Sequence, residues 1–190
     1  QRAVFYRQLA WHPDLNARMA EELAGHADYV ALHVRGTDRS LEAPTARTLR
    51  DGLTALADST DERSLFIAAD SQGSRDRWAA EAAVLGFSPW SVRAVDHDRG
   101  KATAGLDAML DWRLLGRSRA LVYTAASSFG EEAAVATGNV DGCFALSATA
   151  ARIPFFRTSV ATIAPRAPAG SHPSGLPCGT GATSQPTSNA

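Results

Sequence analysis

The segment YVALHVRGTDR, at positions 29–39, decides how the rest of this chain is read. Its first four residues, YVAL, are typical of a strand buried in a sheet. His33, Arg35 and Asp38 then follow, together with other polar residues, within seven positions. A strand that ends in so many polar groups either contacts a ligand or closes on a local salt bridge, and the segment alone leaves both interpretations open.

Length and composition indicate one globular domain of ordinary size. The chain has 190 residues, of which 45% are hydrophobic and 21% are charged, and this proportion supports a core. A formal net charge of −1 gives the protein no electrostatic reason to coat nucleic acid or an anionic membrane. The sequence has no run of roughly 18 apolar residues, so no membrane span is expected.

The two ends of the sequence differ from its body. The chain begins at Gln1 and not at Met, so we expect it to be a piece of a longer protein. No signal-peptide pattern is visible, so we expect a cytoplasmic location. Residues 161–190 contain five Pro, four Gly and one charged residue, a composition that cannot offset the entropy lost on ordering. We therefore predict a folded domain over residues 1–160 and a disordered Pro/Gly/Ser-rich tail over residues 161–190.

Helix and strand patterns alternate through the predicted domain. Strands are predicted at 28–35, 64–70, 90–96, 119–124 and 143–147. Helices are predicted at 13–27, 43–58, 75–86, 104–117 and 128–137. Such alternation is typical of an α/β fold with a mostly parallel sheet and helices on both faces.

Polar residues lie at the carboxyl ends of four predicted strands, where open α/β sheets bind their ligands. In chain order they are His33 and Arg35, then Asp70, then residues 96–98, then Ser127 and Ser128. The acidic and imidazole groups at 96–98 are more typical of a solvated loop than of a metal site, and no Cys/His ligand spacing accompanies them. We expect a binding site at this edge of the sheet and no bound metal.

Arg35 is the strongest candidate for binding an anion. Its guanidinium can contact two phosphate oxygens at once and stays charged, and Gly36 lets a ligand approach the backbone closely. Asp38 can fix the arginine or accept a hydrogen bond from a ligand hydroxyl. A purely structural Arg35–Asp38 pair that holds the turn is equally compatible with these residues.

The last predicted helix begins with a second candidate anion site. Its free N–H groups and its dipole attract negative charge, and Ser127 or Ser128 can donate to a phosphate beside Phe129. The alternative is an N-cap serine, with Glu131 in the first turn of the helix. Asp70 also has two interpretations, as a cap of the helix that follows it or as an acceptor from a sugar hydroxyl.

Three segments, in this order, resemble the carboxyl-terminal, nucleotide-sugar half of the GT-B fucosyltransferases. They are VALHVRGTDR at 30–39, LFIAADS at 65–71 and LDAMLDWRLLGRSRALVYTAASSFGEEAA at 106–134. The α-1,6-, nodulation and protein O-fucosyltransferases share the pattern HxRR(T/G)D, then a strand ending in ATD, then D…LL…(S/G)S. The similarity covers residues 28–140 and implies a Rossmann-like domain, one half of a GT-B fold, that binds GDP-fucose.

The resemblance implies roles for individual residues. Arg35 matches the arginine that holds the β-phosphate of the donor, and His33 matches the histidine near the ribose and diphosphate. Asp38 matches the aspartate that supports the loop and the donor. Asp70 matches the aspartate of the ATD motif, and Asp111 matches the aspartate that reaches the guanine base.

The resemblance also implies diphosphate contacts and catalytic candidates. Ser127 and Ser128 match a pair of small residues whose hydroxyls and amides meet the diphosphate, and Phe129 matches the residue beside them. An acidic residue shortly after the first motif acts as the base in some relatives. Glu42 is the nearest such residue here, one position out of register, so Arg35 and Glu42 are the catalytic candidates.

Two positions depart from the family pattern. Gly36 stands where the pattern has its second arginine, and Ala69 stands where it has the threonine of ATD. One guanidinium and one hydroxyl of the pattern are therefore absent. The single-arginine form weakens an assignment to α-1,6 transfer in particular.

The function that the resemblance implies is inverting transfer of fucose to a glycan or another hydroxyl acceptor. Arg35 and the helix N-terminus would stabilise the departing GDP, so no metal cofactor is expected. The acceptor-binding half is expected to lie outside this chain. Two other hypotheses stay open, namely a non-catalytic nucleotide-sugar-binding domain derived from the same fold, and a plain α/β fold with a structural Arg35–Asp38 pair.

Overall fold

A sheet with parallel strands β1–β5 organises this computed structural model, which describes residues 2–36, 43–92, 104–149 and 153–154. The strands are β1 (Val30–Val34), β2 (Ser64–Ala69), β3 (Ser88–Trp90), β4 (Leu121–Thr124), β5 (Cys143–Leu146) and β6 (Ile153–Pro154). The helices are α1 (Arg2–Gln8), α2 (Pro13–Leu23), α3 (Ala46–Ser59), α4 (Gln72–Val84), α5 (Ala104–Arg117) and α6 (Ser128–Thr137). The strands lie in the order β3-β2-β1-β4-β5-β6, and β6 pairs with β5 in the antiparallel sense. The predicted α/β, Rossmann-like class is confirmed.

Helices cover both faces of the sheet, as predicted. Because successive residues of a strand point to opposite faces, Val30 and Leu32 pack in a core with α3 and α4, whereas Ala31 packs in a second core with α5 and α6. These strand residues are fully buried, with 0% exposure. A strand that is apolar on both faces is typical of a parallel sheet covered on both sides.

Helix α3 shows how the sequence specifies the first of these cores. Thr45 caps its first turn, because the Thr45 hydroxyl accepts a hydrogen bond from the Thr48 backbone N–H at 3.1 Å. Leu49, Leu53 and Leu56 follow at helical spacing and are at most 1% exposed. Each buried leucine contributes roughly 1.5–3 kcal/mol relative to an exposed one.

The third strand and the helix before it differ from prediction. The strand predicted at 90–96 is found at Ser88–Trp90, where Phe66 pairs with Trp90, and residues 93–96 lie outside the described part of the chain. It begins early because Gly86, at φ 84°, ends the preceding turn and Ser88 N–H donates to the Arg63 carbonyl at 2.7 Å. Helix α4 also begins three residues before the predicted position 75, because Ser71 caps it.

The predicted tail over residues 161–190 lies outside the described residues. All described residues belong to one unit, Gln1–Phe155. None of the described helices is long and apolar enough to cross a membrane.

Candidate functional site

The carboxyl ends of β1, β2 and β4, with the residues that follow them, form the candidate site and are called the carboxyl edge below. His33 lies near the end of β1, on the face covered by α5 and α6, because it is two residues beyond Ala31. Its imidazole lies 5.2 Å from the Phe129 ring, measured between centroids, with 33° between the planes. The structure therefore brings the end of β1 into contact with the first turn of α6.

The His33 side chain is neutral at physiological pH. Burial lowers its pKa to about 4, and the Arg35 charge acts in the same direction, whereas the Asp111 carboxylate opposes the shift. Its Nδ1 atom is buried and makes no hydrogen bond within the described part of the chain. A buried ring nitrogen without a partner is available to a ligand group that enters this edge.

The residues after β1 are fixed to both neighbouring strands. The Arg35 backbone N–H donates to the Thr124 hydroxyl at 3.0 Å, and the Gly36 backbone N–H donates to Asp70 Oδ2 at 2.8 Å. Thr124 is the last residue of β4 and Asp70 follows β2 directly. These two hydrogen bonds fix the backbone from which the half-buried Arg35 side chain extends.

Asp70 does not cap helix α4. The capping residue is Ser71, whose hydroxyl accepts a hydrogen bond from the Ser74 backbone N–H at 3.2 Å. The capping interpretation of Asp70 is therefore wrong, because its carboxylate bonds to Gly36 on the neighbouring strand end instead. Its predicted contact with the donor stays a prediction.

The turn between β4 and α6 is tight, and its backbone is strained. Ala126 has φ 57°, a left-handed conformation that costs a non-glycine residue roughly 1–2 kcal/mol. Ser127, 2% exposed, caps α6 by accepting from the Gly130 backbone N–H at 3.4 Å, which confirms the N-cap interpretation. Ser128 is exposed at the first helical position. The first N–H groups of the helix, which have no intrahelical partner, thus lie at the carboxyl edge.

Close packing of α6 against β4 depends on Gly130. A Cβ atom at this position would lie 2.8 Å from the Tyr123 Cβ and Cδ2 atoms, closer than real Cβ contacts. The absence of a side chain therefore allows the first turn of α6 to approach the sheet. This approach brings Phe129 against His33.

Asp111 lies beneath the carboxyl edge in a buried ion pair. Its Oδ2 atom is 2.7 Å from Arg75 Nη2, and the two side chains are 3% and 2% exposed. Arg75 Nη2 also donates to the Ala69 carbonyl at 3.1 Å. The sequence reasoning missed Arg75, because the predicted helix began at this residue and nothing in a first-turn arginine signals burial. The sequence reasoning also missed Thr124, because its contact with Arg35 depends on the pairing of β1 with β4 and no local pattern indicates it.

The structure brings most predicted site residues to one edge of the sheet. They are His33, Arg35, Asp70, Asp111, Ser127, Ser128 and Phe129. Asp38 and Glu42 lie outside the described residues, so their predicted roles stay predictions. Within the described ranges no three His, Cys, Asp or Glu side chains are grouped to hold a metal ion, and residues 96–98 lie outside those ranges.

A separate cavity of about 380 Å³ lies among α1, α2, α5 and α6. Its walls include Tyr6, Trp11, Trp112 and Arg117, and none of the predicted site residues lines it. Arg113, also in its wall, lies over the Trp11 ring at 4.8 Å. We do not assign the donor to this cavity, because the sheet edge, not the helical layer, holds the converging polar groups.

No family model and no curated protein matches this chain, but solved structures do. POFUT1 in complex with GDP matches with a TM-score of 0.54 at 12% identity, over 72% of this chain and 46% of that chain. POFUT1 in complex with GDP-fucose gives 0.52 at 12%, over 70% and 45%. NodZ alpha-1,6-fucosyltransferase soaked with GDP-fucose gives 0.50 at 20%, over 68% and 44%.

This chain shares its fold with these fucosyltransferases. At such identities the match concerns the fold alone, and at that level it confirms the resemblance found in the sequence. The chain spans less than half the length of each of these solved structures.

Proposed function

We propose that the carboxyl edge binds GDP-fucose and presents it for transfer of the fucosyl group to a hydroxyl acceptor. The observation that carries this proposal is the convergence of Arg35, Asp70 and the Ser127–Phe129 turn from three different strands. An arginine side chain and a helix N-terminus on one edge suit a diphosphate. The fold shared with POFUT1 and NodZ, whose solved structures include complexes with GDP or GDP-fucose, supports the same ligand.

Catalysis in this proposal depends on stabilising the leaving group. When the bond between fucose C1 and the β-phosphate oxygen breaks, negative charge grows on GDP. The Arg35 guanidinium and the N–H groups of the Ser128–Phe129 turn stabilise that charge without a metal ion. Neutral His33 adds no positive charge, and its Nδ1, which has no partner among the described residues, can accept a hydrogen bond from a ribose hydroxyl.

The acceptor hydroxyl forms the new bond on the opposite side of the sugar. Its oxygen attacks C1 as GDP departs, the hydroxyl proton passes to a general base, and the configuration at C1 inverts. We propose Glu42 as that base and Asp38 as a residue that supports the donor. Asp70 supports the donor through the loop that it holds at Gly36, and Asp111 is proposed to contact the guanine.

The acceptor would bind between this domain and a part of the protein outside the chain. The share of the solved structures that the chain covers, 44–46%, supports this proposal. The same fact favours a second candidate, a non-catalytic nucleotide-sugar-binding domain. An activity assay on the full-length natural protein distinguishes the two candidates. Fucosyl transfer that is lost in the Arg35→Ala variant indicates a transferase, and absence of transfer indicates a binding domain.

A calorimetric titration tests the binding site on the 190-residue chain. GDP, GDP-fucose and UDP are titrated in the presence of EDTA. We expect GDP and GDP-fucose to bind more tightly than UDP, and Arg35→Ala to weaken GDP binding by about ten- to a hundredfold, the loss of a charged hydrogen-bonding group worth about 1.5–3 kcal/mol.

Arg119→Ala is the matched control, because Arg119 pairs with Asp28 at the amino ends of β1 and β4. This variant removes an arginine from the opposite end of the sheet and should leave GDP affinity unchanged. Equal loss in both variants, or no GDP binding by folded wild-type protein, contradicts the proposed site.

A further inference from the structure

The Arg75–Asp111 pair is unusual in its burial. Both side chains are at most 3% exposed and their charged atoms lie 2.7 Å apart. Removing two charges from water costs free energy that the attraction between them often only offsets, and an apolar pair of similar volume frequently stabilises a core as well or better. Stability alone is therefore a weak reason for this pair.

The pair also joins helices on opposite faces of the sheet. Arg75 belongs to α4, whose Trp78 and Ala82 pack in the core shared with α3, and Asp111 belongs to α5, whose Leu110 and Leu114 pack in the other core. The guanidinium reaches across the carboxyl end of β2, where it donates to the Ala69 carbonyl at 3.1 Å. One side chain thus fixes α5 and the end of β2 together.

The atoms that Arg75 fixes adjoin those of the proposed site. Asp70 follows Ala69 directly, and its carboxylate holds the Gly36 N–H at 2.8 Å, next to Arg35. Movement at Ala69 would pass through Asp70 to the loop that carries Arg35. Loss of the guanidinium would also release the Asp111 carboxylate from its present orientation.

We propose that Arg75 is a positioning residue of the nucleotide site, which orients the Asp111 carboxylate and the Ala69–Asp70 strand end for binding. This inference rests on the proposed function. Arg75 acts through these neighbours and touches neither the donor nor the acceptor. Since an ionised carboxylate only accepts hydrogen bonds, a fixed Asp111 favours guanine, with its N1–H and amino donors, over adenine, which has an acceptor at N1.

Arg75→Lys is the informative variant, because it keeps the positive charge beside Asp111. The lysine ammonium lacks the planar fork that reaches two acceptors in fixed geometry. We expect the variant to fold and to bind GDP about five- to tenfold more weakly, a loss of affinity on the scale of one oriented charged hydrogen bond. We also expect a smaller ratio of GDP affinity to ADP affinity. A merely structural role would lower the melting temperature and leave the affinity of the folded protein unchanged.

Arg18→Lys supplies the matched control. Arg18 pairs at 2.7 Å with Asp107, a buried carboxylate one turn earlier on α5 than Asp111. The control should leave GDP affinity and the GDP-to-ADP ratio unchanged. The inference is overturned if both lysine variants bind GDP like wild type, or if they lose affinity equally.

A double-mutant cycle shows whether Arg75 acts through Asp111. If it does, Arg75→Lys should change the GDP-to-ADP ratio in the wild-type background and leave it unchanged when Asp111→Asn is already present. Additive effects on the ratio overturn the inference. If Asp111→Asn does not fold, the comparison of the two lysine variants decides. Absence of GDP binding by wild type is a different outcome, because it overturns the proposed function and the inference with it.

Discussion

The two faces of the sheet are packed with different chemistry. Between the sheet and helices α3 and α4 the core is built from apolar residues such as Leu53, Ile67 and Trp78. Among the described residues of these two helices, Arg75 is the one buried charged side chain, and it bonds to Ala69 and Asp111 at the carboxyl end of β2. On the α5 and α6 face the buried set includes aromatic rings together with His33, Asp107 and Asp111. A charge is buried only at a cost unless it is paired, and here each aspartate has an arginine partner.

This difference separates stability from binding. Apolar burial contributes to stability wherever it occurs, whereas buried polar groups at a sheet edge contribute little net stability and impose a defined geometry. Substitutions of apolar core residues on the α3 and α4 face should therefore change the free energy of unfolding without changing nucleotide affinity. Substitutions at the carboxyl edge should change the nucleotide affinity, either alone or together with the free energy of unfolding.

Leu53→Ala is the strongest test of the apolar face. Leu53 is 0% exposed, so its truncation should cost about 2–5 kcal/mol of unfolding free energy through lost burial and a new cavity. Urea unfolding measures that loss, and calorimetry at a temperature where the variant is folded should give the wild-type affinity for GDP. A parallel loss of affinity would mean that the two faces are not separable.

The pH dependence of stability tests the polar face. Because burial lowers the pKa of His33 from 6.5 to about 4, the unfolded chain binds the proton first as pH falls. The contribution of neutral His33 to the free energy of unfolding is therefore fully present above pH 6.5. It decreases as the pH falls to about 4, by about 3 kcal/mol in total. His33→Gln removes this component, so the stability of wild type relative to the variant should fall between pH 6.5 and 4.

Urea unfolding of wild type and His33→Gln across this pH range measures the difference directly. A wild-type minus His33→Gln difference that stays constant from pH 7 to pH 4 would contradict a buried, neutral His33.

Gly130→Ala is expected to lower stability less than Leu53→Ala does, but to disturb the carboxyl edge as well. Its Cβ would lie 2.8 Å from Tyr123 atoms, and such overpacking costs about 1–3 kcal/mol. The first turn of α6 must then shift, which should also weaken GDP binding. Gly73→Ala in α4, where a Cβ would meet nothing within 4 Å, should be neutral or stabilising; similar effects of the two substitutions would contradict this account of α6.

The sequence predicts local structure better than it predicts the buried pairing. Helices α5 and α6 have their predicted bounds, because each has an apolar pattern and α6 also ends at Gly138, left-handed at φ 74°. The carboxyl-edge location of His33 and Arg35 followed from strand alternation. The Arg75–Asp111 contact joins residues 36 positions apart and depends on how α4 and α5 pack, which no local pattern encodes. The shifted third strand is likewise set by pairing with β2.

The position of bound GDP tests the central claim most directly. Amide and indole N–H signals of the ¹⁵N-labelled chain can be followed by NMR as GDP is added. We predict the largest changes at Arg35, Gly36, Ser128 and Phe129. Largest changes at the Trp11 and Trp112 indoles, which line the separate cavity, or no change at the carboxyl edge, would contradict the assignment of this edge as the donor site.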